Sequence, residues 1–170
     1  MNLEFVSSFD IRIPDFSLEK QAWERTVKTD EILGRLPHAF PFRMIDRILE
    51  IEPGKKATAI KNVSFDEPFL QGRSLNEPVM PIVLILEAVA QTGGIAFHSL
   101  SETGEGGIPF LAGVDEFRVK KKVIPGDQMV LEAEIQHIFS HLAKVKVAVR
   151  VGDETVAEGI LVLAKGPPVD

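Results

Sequence analysis

PFLQGRSLNEPVMPIVLILEAVAQTGG, residues 68–94, passes from a polar loop through Met80-Pro81 into a segment that is apolar on nearly every side. A helix of that composition has no wet face, so the stretch predicts a core rod, buried all round, against which the rest of the chain must pack. Two polar residues interrupt it, Glu87 and Gln91, and their i, i+4 spacing sets them on one face. A carboxylate in so apolar a setting costs free energy unless it is paired or used, which makes Glu87 the first candidate site residue. The plainer reading is an ordinary helix whose Glu reaches the rim.

The bulk properties narrow the setting. A chain of 170 residues, 45% of them hydrophobic, fits one domain with a substantial core. There are no cysteines, which excludes a disulfide framework and thiolate chemistry. A net charge of −6 argues against nucleic acid as the main partner, because phosphate binding needs concentrated positive charge. MNLEFVSSFD (1–10) has no basic region followed by an apolar run, so no secretory leader is expected. Residues 79–100 are interrupted by Glu87, Gln91, Thr92 and Gly93-Gly94, which argues against a membrane span and points to the cytoplasm.

Before the central stretch, Ser17 caps a predicted short helix, LEKQAWERTV (18–27), with Leu18, Trp23 and Val27 as apolar contacts. Thr29 or Asp30 caps a second, EILGRL (31–36), which ends before Pro37. RMIDRILEIEPGKKATAIKNVS (43–64) reads as a hairpin turning at Pro53-Gly54. After the helix, SETGEGGIPF (101–110) lacks the Lys-Ser/Thr of a phosphate-cradling loop and reads as a connector. The remainder is β: IPFLAGVDEFRVKKKV (108–123), QMVLEAEIQHIF (128–139), HLAKVKVAVRV (141–151) and ETVAEGILVLAK (154–165). Val145, Val147, Val149 and Val151 alternate with Lys144, Lys146, Ala148 and Arg150, the period of a strand with one buried face. Antiparallel strands and one apolar helix predict an α+β domain in which a curved sheet wraps the helix. His137 and His141 have the spacing of helical zinc ligands but fall at a strand end and a turn, so no metal site is expected. Arg118, Lys120, Lys121 and Lys122 read as a solvated strand edge.

LPHAFPFRMIDRI (36–48), KNVSFDEPFLQG (61–72), PVMPIVLILEAVAQ (78–91) and LAGVDEFRVKKKVIPGDQ (111–128) together resemble the bacterial 3-hydroxyacyl-(acyl carrier protein) dehydratases of the FabZ/FabA group over about residues 30–165. The resemblance implies a hotdog fold for residues 29–170, with residues 1–28 as an N-terminal extension, and no cofactor. It also implies at least a dimer with an acyl tunnel between protomers, and an acyl carrier protein or CoA thioester as ligand; the basic run 118–122 could meet an acidic carrier. In that family the loop before the helix reads Gln-Gly-His-Phe-Pro-Gly, and the His, fourteen residues before the helix Glu, works with that Glu. Here Arg73 stands at that position, followed by Ser74, Leu75 and Asn76, and Ile82 replaces the glycine of Met-Pro-Gly-Val. The residues carried over are therefore Glu87 as the catalytic carboxyl, Arg73 at the His position, and Gly72, Ile82, Val83 and Gln91 toward the substrate. A histidine between Pro37 and Phe40 could be a stand-in base, but His38 belongs to the LPHAFPF motif, where the resemblance implies a structural role and not the catalytic one.

Arg73 cannot act as a base, since a guanidinium has no acceptor lone pair and stays protonated. The family reaction is thus expected to be impaired in a homodimer. Two alternatives accompany this reading. One is a non-catalytic partner subunit of a His-containing paralogue, with Arg73 pairing Glu87 in its own pocket. The other is a hotdog thioesterase using Glu87 with Gln91 or Thr92, against which Ile82 crowds the carbonyl site.

Overall fold

The computed structural model describes residues 36–71, 78–98, 107 and 109–166. The sequence-predicted helices at 18–27 and 31–36 lie outside them except for Leu36, as does the connector at 101–106.

Among the described residues six antiparallel strands form one sheet: β1 (Arg47–Glu52), β2 (Lys56–Asn62), β3 (Pro109–Val119), β4 (Gln128–Phe139), β5 (Leu142–Val151) and β6 (Glu154–Lys165), in the order β1-β2-β4-β5-β6-β3. The hairpin at Pro53-Gly54 forms as expected, with Gly54 at φ 72°, a backbone state that a side chain disfavours. Its first strand starts later than its sequence pattern: Arg43–Asp46 are not strand, although Met44 and Ile45 are buried. On β5 the alternation holds, with Val145, Val147 and Val149 buried and Val151 half-buried at the strand end. β3 and β6 approach so closely at Gly159 that a Cβ there would lie 2.0 Å from the Glu116 carbonyl oxygen, so only glycine fits.

The concave face of the sheet holds one helix, α1 (Ile82–His98), against all six strands. This is the hotdog arrangement. From Ala88 to Phe97 every residue of α1 is buried, and Gly93 lets the helix settle onto Val145 and Leu163. The first turn departs from the expectation of a helix buried all round: Ile82 is 58% and Val83 68% exposed. Burial along the helix begins at Ile85 and becomes continuous from Ala88, and hydrophobic composition alone gives no sign of that boundary. Phe110 and Val114 on the edge strand β3 are also exposed. Among the described residues no helix is long and apolar enough to cross a membrane.

Candidate functional site

Gln91 is the pivot of the site. It is a buried amide on α1, and burying an amide is costly unless its hydrogen-bonding groups are satisfied. Its Oε1 accepts the Met44 backbone N–H at 2.9 Å, and its Nε2 donates to the Phe42 carbonyl at 2.7 Å and to Glu87 Oε1 at 2.8 Å. The segment 36–46 is thereby fastened to the helix, and the Glu87 carboxyl one turn earlier is oriented by the same amide. Within that segment a tight turn closes from the Phe42 N–H to the Ala39 carbonyl at 2.7 Å, and Arg43 Nε donates to the His38 carbonyl at 3.1 Å.

The fastening brings His38 to the carboxylate. His38 Nε2 lies 3.3 Å from Glu87 Oε1, with the two side chains 30% and 28% exposed. His38 Nδ1 is buried and has no partner among the described residues. The structural role implied for His38 is thus joined by a direct contact with the candidate carboxyl. Sequence reasoning did not find this contact. The available signal was a histidine fixed between Pro37 and Pro41 in a chain whose helix carboxylate wanted a partner.

Both side chains face a cavity of about 270 Å³. Its walls are largely apolar, from Leu36, Ala90, Ile95, Pro109, Phe110, Leu111 and Leu163, with His98 at the far end of α1. A narrow apolar space with a carboxyl and an imidazole on one wall suits an acyl chain carrying a reactive polar head.

The other sequence-derived site residues fall elsewhere. Gly72 and Arg73, with Ser74, Leu75 and Asn76, lie outside the described residues. Ile82 lines a separate cavity of about 370 Å³ with Val79, Met80, Val119 and Lys120–Val123, and neither Ile82 nor Val83 lines the cavity beside Glu87. Thr92, a helper in the thioesterase alternative, is fully buried and donates its hydroxyl to the Ala88 carbonyl at 2.9 Å, within its own helix. In the basic run Lys120 pairs with Glu158 at 2.7 Å and Lys121 with Glu154, so part of its charge is neutralised on the protein itself. His137 packs against Phe139 at 6.0 Å between ring centroids.

Residues 36–160 match the FabA-like domain family. The chain is similar to the 3-hydroxyacyl-[acyl-carrier-protein] dehydratase FabZ of Caldicellulosiruptor bescii, at 47% identity over 79% of this chain and 96% of the relative. It is also similar to the enzyme of that name from Yersinia enterocolitica, at 44% identity over 84% of this chain and 86% of the relative. Among solved structures it resembles the dehydratase heterocomplex ApeI:P from Xenorhabdus doucetiae, with a TM-score of 0.67 and 15% identity over 79% of this chain and 90% of that one. The PaaI protein of E. coli gives a TM-score of 0.62 at 15% identity over 91% of this chain and 100% of that one. At such identities the structural likenesses speak for the fold alone.

Proposed function

The chain belongs to the FabA-like family, in the FabZ-type dehydratase lineage, and from that premise we propose that it takes 3-hydroxyacyl and 2-enoyl thioesters into the cavity beside Glu87 and interconverts them there. The observation that carries this reading is the Glu87 carboxyl, oriented by a buried Gln91 and facing a largely apolar cavity. Eliminating water from a 3-hydroxyacyl thioester needs an acid for the departing hydroxyl, and a positioned acid is worth about 10²- to 10⁴-fold. The carrier is acyl carrier protein or CoA, and the setting fatty-acid or polyketide-type metabolism.

The working unit in this reading is a dimer. Exposed Ile82 and Val83 on the first turn of α1, with Phe110 and Val114 on the edge strand β3, offer apolar surface that a second copy would cover. Residues 1–28 are assigned as an extension and 29–170 as the hotdog domain.

A second reading, a partner subunit for a His-bearing paralogue, is favoured by one observation: Glu87 is kept while Arg73 stands at the family His position. A complete site would then join the paralogue's His to Glu87 of this chain. In the thioesterase reading the helper to Glu87 would be Gln91, because the Thr92 hydroxyl donates within its own helix.

Hydration of a crotonyl thioester by the purified protein tests the main reading. Against the impairment that Arg73 implies, formation of 3-hydroxybutyryl thioester, abolished by Glu87→Gln, is expected, because the cavity places the imidazole of His38 beside Glu87. Activity that appears only on co-expression with a His-bearing paralogue selects the partner-subunit reading, and release of free crotonate selects thioester hydrolysis.

A further inference from the structure

A dehydratase site whose loop carries Arg73 lacks a base at that position, and the cavity itself offers a replacement. Three described titratable side chains line it: His38, Glu87 and His98. His98 lies eleven residues beyond Glu87 on the same helix, which is about 16 Å along the axis at the usual rise, too far to act with Glu87 on adjacent carbons of one substrate. His38 Nε2 lies 3.3 Å from Glu87 Oε1.

Resting on the dehydratase reading above, we propose that His38 is the catalytic base, paired with Glu87 of its own chain. Four features of the site support this. His38 is partly open to the cavity rather than sealed in the core. Its segment is held by a buried amide that also orients Glu87, so the two groups are positioned as a unit. Nδ1 has no partner among the described residues, so none of them fixes the ring's tautomer, and Nε2 is the nitrogen that meets Glu87. The described groups packed around the ring add little competing charge: β3 and β6 present Pro109, Phe110, Leu111 and Leu163, α1 presents Glu87 and the distant His98, and Arg43 is engaged with the His38 backbone carbonyl.

The step balances within the pair. The Nε2 lone pair removes the C2 proton, the electrons of that C–H bond become the second C2–C3 bond, and the C3–O bond breaks. The departing hydroxyl takes the proton of the Glu87 carboxyl and leaves as water. The imidazolium then returns its proton to the carboxylate across the contact between them, which restores the starting state. Run backward, the same sequence hydrates an enoyl thioester. Acid and base from one chain mean that neither Arg73 nor a paralogue's His is needed for turnover.

The experiment is crotonyl-CoA hydration by the full chain, by Glu87→Gln, by His38→Gln and His38→Asn, and by the double variant, each checked by thermal melting. Expected is a 10²- to 10⁴-fold loss of kcat in each single variant, with KM little changed and no further loss in the double variant, because the two groups act together. In hydration the imidazolium gives its proton to C2, so the wild-type pH profile of kcat/KM should fall on the basic side, where His38 no longer carries that proton, and that limb should be absent from the residual activity of His38→Gln. Should the His38 variants fail to fold, the wild-type profile alone decides, and the lack of a basic limb overturns the proposal. If His38→Gln keeps wild-type kcat while Glu87→Gln is inactive, His38 is not the base and the dehydratase reading stands. If the wild-type protein does not hydrate crotonyl-CoA at all, both are overturned.

Discussion

Lys61 with Asp46 and Glu67, and His38 with Glu87, both place ionisable groups under cover, yet the two clusters are finished to different degrees. Lys61 is buried and meets Glu67 Oε1 at 2.5 Å and Asp46 Oδ1 at 3.4 Å. The second oxygen of Asp46 accepts the Asn62 backbone N–H at 2.5 Å and its side-chain amide at 3.2 Å, and Asn62 in turn accepts from Gln128 at 2.8 Å. This network ties the segment before β1 to β2 and β4 and does not line the cavity beside Glu87. At His38 and Glu87 one ring nitrogen has no partner among the described residues, and the pair fronts the cavity. A polar network away from any cavity serves the fold, whereas a carboxyl and an imidazole that face one are placed to meet a ligand. The difference separates a network that serves the structure from a pair that the proposed chemistry would use.

Three substitutions probe that separation, in falling order of effect. Glu87→Gln should lower thioester hydration by about 10²- to 10⁴-fold with little change in melting temperature, since Gln keeps the volume and a hydrogen-bonding group at a site that is 28% exposed. Parallel losses of stability and activity would mean that the pair is structural after all. Lys61→Met should do the reverse, costing about 2–3 kcal/mol in denaturant unfolding by leaving Glu67 and Asp46 without their cation, while kcat stays near wild type. Gln91→Met should combine the two effects, each in smaller measure. It strands the Met44 N–H and the Phe42 carbonyl, at about 1–3 kcal/mol by chemical unfolding, and it lowers kcat because the amide serves both the packing and the site.

The sequence made one half of this comparison legible. The helix, the hairpin at Pro53-Gly54 and the alternating strand β5 follow local periods, and the i, i+4 spacing of Glu87 and Gln91 sufficed to predict their shared face, which a 2.8 Å hydrogen bond confirms. The other half depends on contacts between residues far apart in the chain. His38 and Glu87 are 49 positions apart, and no local pattern says that Gln91 will draw segment 36–46 onto the helix. Exposure of Ile82 and Val83 was hidden for the same reason, because the reach of the sheet is a tertiary property. The Lys61 network likewise joins β2 to residues outside it, Asp46 and Glu67, which no local period marks.

The most direct test of the central claim, that this cavity carries reversible dehydration, is mass spectrometry of the product formed from crotonyl-CoA in D₂O by the purified protein. The account predicts 3-hydroxybutyryl-CoA with one carbon-bound deuterium, at C2, with no paralogue present and with formation lost in Glu87→Gln. Recovery of unchanged crotonyl-CoA, or of free crotonate and CoA, would contradict it.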